Sequence, residues 1–136
     1  MSSDQGTIQI VRDLFAWFNS AIAEGRQITR ADVERYFTDD AVMIANNRVK
    51  CRGIEAHLAH FDDLTSKMKQ TEVQPFELVV EGENRAAGYY RINFKAVDGT
   101  EGTIFDMAIW EFRDGRIARM TEIIHFEGAS VSLNDY

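Results

Sequence analysis

The hydrophobic period changes along this chain, and that change limits the fold more than any other feature. Up to about residue 68 the long apolar patterns are helical; beyond it the period is two. Ile8, Val11, Leu14, Phe15, Phe18 and Ile22 place an amphipathic helix over about 5–24, with Gly25 as its stop. Thr29 and Asp32 have capping-box spacing ahead of a short helix with Val33, Tyr36 and Phe37 on its apolar side. Residues 41–46 read as a strand, "NNRVKCRG" as a turn and a second short strand, and 53–68 as a third helix. Then "EVQPFELVVEGE", "RAAGYYRINFKAV", "GTIFDMAIWEF" and "RIARMTEIIHF" read as four strands separated by glycine-bearing turns. Helices segregated from an antiparallel sheet make an α+β domain. A curved antiparallel sheet wrapped around three N-terminal helices makes a cone, and a cone has a mouth.

Residues 1–136 form one domain, without repeats, low-complexity segments or a linker. The net charge of -7 argues against nucleic acid and anionic membrane as partners, since both select basic surfaces. No apolar run approaches the length of a membrane span, and the N-terminus carries no secretory pattern. A lone cysteine, Cys51, makes no internal disulfide; it reads as a half-buried strand residue in a cytoplasmic protein.

Asp106 is the residue that does not fit its strand. Its face is Ile104, Asp106, Ala108, Trp110 and Phe112. In the next strand Ala118, Met120, Glu122, Ile124 and Phe126 share the apolar face, and Ile117, Arg119, Thr121, Ile123 and His125 the wetter one. A three-residue loop, Arg113-Asp114-Gly115, with Gly115 left-handed, pairs Phe112 with Arg116 and sets Asp106 opposite Glu122. A two-residue turn sets Met107 there instead. Opposed carboxyls with roots about 5 Å apart on an apolar face disfavour each other's ionisation, so one holds a proton near neutral pH. Such a pair suits general acid–base chemistry; the other reading is a pair quieted by an arginine or by water at the cone mouth.

His60 lies on the third helix with Ala56, Asp63 and Leu64, and His57 with Phe61. The His57–His60 spacing lacks the companions of a metal site, and no metal or cofactor is expected. His125 falls at a surface or subunit interface. Plain alternation turns Tyr90 inward and Arg91 outward, unless a bulge near Gly88 reverses them. The outer face, with Phe105, Met107, Ile109 and Ile123, is too apolar to meet water unaided, so a two-fold homodimer is expected.

"YFTDDAVM", "CRGIEAHLAHF" and "EFRDGRIARMTEIIHFEG" resemble the SnoaL-like, nuclear-transport-factor-2-like superfamily, over about 8–127. The resemblance implies the cone fold with a curved sheet enclosing an apolar small-molecule pocket, a dimer, and a range of members that includes isomerases, cyclases, dehydratases, epoxide hydrolases and non-catalytic binding domains. Carried over from the ketosteroid isomerases, the general base falls on Ala45 and the oxyanion pair on Leu14 and Ala108; a pocket aromatic falls on His60. The last-strand aspartate of the limonene epoxide hydrolases falls on Glu122, and their Arg-x-Asp element on Tyr89-Tyr90-Arg91. The candidate catalytic residues are therefore His60, Asp106 and Glu122. Leu14, Phe18 and Phe61 from helices, and Tyr90, Ala108, Trp110 and Met120 from strands, are the candidate pocket residues. Two functions are expected: cofactor-free isomerisation, cyclisation or dehydration of an apolar substrate, or non-catalytic binding of a ligand or protein.

Overall fold

In the computed structural model, which describes residues 6–128, helix α1 (Thr7–Glu24) buries the stripe Ile8, Val11, Leu14, Ala21 and Ile22. Gly25 ends it in the left-handed conformation, and Arg26 donates its N–H to the Ala21 carbonyl at 2.8 Å. The expected capping box forms at α2 (Arg30–Tyr36): Asp32 N–H donates to Thr29 Oγ1 at 3.2 Å, and Thr29 N–H to Asp32 Oδ2 at 3.0 Å. A hairpin of β1 (Phe37–Ala45) and β2 (Arg48–Arg52) follows, turned by Asn46 and Asn47, both with positive φ. Helix α3 (Ile54–Lys67) then leads into β3 (Met68–Val73), β4 (Leu78–Glu81), β5 (Arg85–Ala96), β6 (Glu101–Arg113) and β7 (Arg116–Glu127). The patternless tail after residue 128, and the expected helix start at residue 5, lie outside the described residues.

Two expectations need correction here. "EVQPFELVVEGE" is not one strand. β3 pairs Val73 with Ile92 and β4 pairs Leu78 with Tyr89, so two extra residues bulge out of the ladder between them. Pro75, which has no N–H to give, sits in that break, and Phe76 turns inward. The sheet, ordered β2-β1-β7-β6-β5-β3 with β4 also on β5, is mixed and not wholly antiparallel, because β1 runs parallel to β7. It curves without closing. Its concave face packs on the helices through Val11, Val33, Phe37, Tyr90, Trp110 and Ile117, all essentially removed from water. Burial of each large apolar side chain contributes about 1.5–3 kcal/mol.

The β6–β7 register differs from expectation in an informative way. Asp114 and Gly115 have φ of 55° and 77° and form a two-residue turn, pairing Arg113 with Arg116. An irregularity then absorbs Ala118: Phe112 pairs with Ile117, but Glu111 with Arg119. Turn and bulge together move the register by two from the expected one. Asp106 therefore opposes Ile124, and Ala108 opposes Glu122. A shift of two preserves the side-chain face. Asp106 and Glu122 share the concave face as expected, but as diagonal neighbours. The bulge also brings Ile117, assigned to the wetter face, into the core.

Among the described residues, nothing covers the outer face of β6 and β7: Met107 is 59% exposed and Ile123 56%. None of the described helices is long and apolar enough to cross a membrane.

Candidate functional site

The cone encloses a cavity of about 110 Å³ between α1, α3 and the concave sheet. One water centre needs about 10–15 Å³, so the space suits an organic molecule. Leu14, Phe18, Phe61, Tyr90 and Met120 line it as expected. Ala108 and Trp110 do not. They face the same way but are buried behind the wall, where Trp110 stacks on Tyr90 with ring centroids 5.9 Å apart. The reason is the inward turn of Phe76, whose ring meets Tyr90 edge-on at 5.0 Å. Gly88 permits this approach, since a Cβ there would lie 3.2 Å from the Phe76 ring and 3.4 Å from that of Trp110.

Asp106 and Glu122 both border the cavity and are only 2% and 4% exposed. Tyr90 lies directly opposite Asp106 in the β5–β6 ladder, and its Oη–H donates to Asp106 Oδ2 at 2.9 Å. Phe15, Phe76 and Trp110 pack around the Tyr90 ring and hold it in place. Asp106 Oδ1 is buried without a hydrogen bond of normal geometry.

Burial raises Asp106 above the usual carboxylate range, partly offset by hydrogen bonding from Glu122 and Tyr90. Glu122 is pushed well above its ordinary value by burial first, then by the charge of Asp106 and the proton shared with it. Tyr90 is raised by burial and by both carboxyls, so it remains a donor. Two donors therefore favour charge on Asp106, and Glu122 keeps its proton longer.

His60 borders the same cavity, and burial, with His57 and Lys50 next, lowers its pKa to about 4. It is a neutral imidazole at neutral pH. The charges that set its titration are those of His57, Lys50, Asp63 and Lys67, not those of the carboxyl pair. His57 is wholly buried against Phe37, with Nδ1–H donating to the Gly53 carbonyl at 2.7 Å. Among the described residues, no three potential metal ligands gather. His125 is exposed and lies 3.4 Å from Glu127.

Arg91 points outward as plain alternation required: it pairs with Glu77 at 2.8 Å and lies over Phe105. No lysine or arginine lines the cavity among the described residues. Ala45, where the resemblance places a general base, pairs in register with Glu122.

Two features escaped the sequence reading. Tyr90 is the partner of Asp106 and not merely a wall residue. "VDGT" held that signal: a three-residue loop, Val97-Asp98-Gly99, with Gly99 at φ 91°, pairs Ala96 with Thr100 and so Tyr90 with Asp106. The second is a polar spot where Thr71 Oγ1–H donates to Asn19 Oδ1 at 2.8 Å. Nothing local in the sequence joins those two residues.

Residues 11–120 match the sequence profile of the SnoaL-like domain. No match was found among curated proteins. Among solved structures, an NTF2-like protein from Anabaena variabilis ATCC 29413 superposes with a TM-score of 0.71 at 15% identity, covering 94% of this chain and 96% of that one. An LEH-like epoxide hydrolase of M. tuberculosis gives 0.66 at 14% identity, covering 88% and 82%. TsrD from Streptomyces laurentii gives 0.63 at 17% identity, covering 85% and 88%. At these identities the likeness is one of fold.

Proposed function

We propose, from the premise that this chain belongs to the SnoaL-like domain family, that it binds an apolar small molecule in the cone and moves a proton on it without a cofactor. The observation that carries this reading is the pair of buried carboxyls on an apolar wall, one favoured as the base and the other as the acid. Asp106, aligned by Tyr90, takes a proton from the ligand. The electron pair left behind shifts along the molecule, and Glu122 delivers its own proton at a second position. Transfer between the adjacent carboxyls restores the starting state. Isomerisation, cyclisation and dehydration all have this form. His60, neutral on the same cavity wall, is the candidate shuttle. Leu14, Phe18, Phe61, Tyr90 and Met120 supply the apolar contacts. An epoxide hydrolase among the structural neighbours, and Glu122 at the position of an epoxide hydrolase carboxylate, agree with acid–base work at this wall.

A second reading is a non-catalytic binding domain. It is favoured by the apolar residues at Leu14, Ala45 and Ala108, where the resemblance places isomerase chemistry. Incubation in D2O with a panel of apolar carbonyl compounds separates the two, with mass spectrometry reading deuterium on carbon. Catalysis predicts exchange that Asp106→Asn abolishes. A compound that occupies the cavity and gains no deuterium over the uncatalysed rate contradicts it.

The same reading makes the protein a homodimer. Leu78, Tyr89, Met107 and Ile123 align across four strands of the outer face, as do Val80, Ala87, Ile109 and Thr121. Leu78, Val80, Met107, Ile109 and Ile123 are exposed along these rows, and such an apolar surface suits a two-fold partner. The lone buried thiol of Cys51, raised to about 11 by burial, fits a cytoplasmic setting.

A further inference from the structure

We propose that the ligand of this cavity carries a basic nitrogen, bound as its ammonium or iminium ion with an N–H donating to Asp106 Oδ1. The proposal rests on the reading that the cavity is a ligand site, and it names the chemical class of ligand.

Three observations converge. First, Asp106 borders the cavity, is 2% exposed, and its Oδ1 is a buried acceptor without a hydrogen bond of normal geometry. A buried acceptor left in that state costs about 1–3 kcal/mol, more when charged, so a donor supplied by a ligand recovers a large term. Second, among the described residues no cation answers this carboxylate. Among the described lining residues none is lysine or arginine, Arg91 is committed to Glu77 on the outside, and His60 is neutral. A buried carboxylate without a cation is expensive, and a cationic ligand brings the missing charge. Third, Phe15, Phe18, Phe37, Phe61 and Tyr90 present aromatic rings to the same space. Ring faces attract cations, by about 2 kcal/mol or more where water is excluded.

The alternatives fit less well. An anionic ligand would meet Asp106 and Glu122 with no compensating charge. A neutral carbonyl compound could accept from the Glu122 acid, yet it would leave Oδ1 unanswered. An ammonium has N–H groups for Oδ1 and for the Glu122 carbonyl oxygen together.

The test compares 2-phenylethylamine with its neutral isostere propylbenzene, by calorimetry on the intact protein at pH 7. The amine should bind at least tenfold more tightly, and Asp106→Asn should abolish that preference while propylbenzene still binds. Equal or tighter binding of propylbenzene overturns the proposal, as does failure of the amine to bind. A preference that survives Asp106→Asn also overturns it, since the acidic surface would then be its source. Should Asp106→Asn not fold, a crystal structure of the wild-type protein with the amine decides. Nitrogen within hydrogen-bond distance of Oδ1 supports the proposal, and nitrogen turned away from it refutes it. Deuterium exchange on carbonyl compounds without amine preference leaves the proton-transfer reading standing and sinks this one. Amine preference without exchange on any bound compound does the reverse.

Discussion

Replacing Glu122 by Gln should stabilise this protein at neutral pH, which is unusual for a polar substitution at a site only 4% exposed. The reasoning follows the proton. Unfolded, Glu122 titrates near its ordinary value of 4.5; folded, burial and Asp106 hold it well above that. A group with a raised folded pKa contributes its full stability below the unfolded value and loses it as pH rises. Each pH step over which only the fold keeps the proton costs about 1.4 kcal/mol. If the folded protein keeps this proton to pH 7, the cost there is about 3 kcal/mol. Gln keeps the shape and a donor for Asp106 but binds no proton on either side. Urea denaturation at pH 7 should favour Glu122→Gln by up to about 3 kcal/mol, and at pH 4 the two proteins should be nearly equal. Loss of several kcal/mol at pH 7 would refute the argument. It would mean that Glu122 is ionised and paired with a buried cation, which makes the site a structural ion pair.

Tyr90→Phe removes the donor to Asp106 Oδ2 from a wholly buried position; it should cost about 1–3 kcal/mol by thermal denaturation and reduce any proton transfer at Asp106. His60 has a folded pKa lowered to about 4, so its contribution is present above the unfolded value near 6.5 and is lost as pH falls through 4. His60→Gln should therefore reduce the stability lost between pH 7 and 4 by up to about 3 kcal/mol, less whatever partial exposure screens; an unchanged acid limb in urea titrations would contradict this. Ile109→Glu on the exposed outer face should leave folding intact and convert the proposed dimer to monomer in sedimentation experiments. Gly88→Ala should cost about 1–3 kcal/mol, because the added methyl meets both the Phe76 and Trp110 rings; retained stability would show that those rings yield.

The sequence made the architecture legible where a local rule acts. The change of period, the capping box at Thr29 and Asp32, and alternation at Tyr90 and Arg91 all correspond to what forms. It was less legible where two local rules offset each other. The β6–β7 loop is a two-residue turn with a bulge behind it, and no residue announces that Ala118 is the extra one. Parity survived, so both carboxyls face the cavity, but their direct opposition did not. Pro75 marked a break that the apolar run around it obscured, and that break sends Phe76 inward and removes Trp110 from the wall. The parallel β1–β7 pairing, and the meeting of Asn19 with Thr71, depend on closure across the whole chain, which period and turn chemistry do not encode.

The central claim is that Asp106 and Glu122 share a proton at neutral pH, and carboxyl-carbon NMR on protein labelled with 13C at Asp and Glu tests it most directly. A titration from pH 3 to pH 9, assigned through Asp106→Asn and Glu122→Gln, should show Glu122 still protonated at pH 7. Its signal should move when Asp106 is substituted. Two independent midpoints at ordinary values, 3.8 for Asp106 and 4.5 for Glu122, would contradict the account.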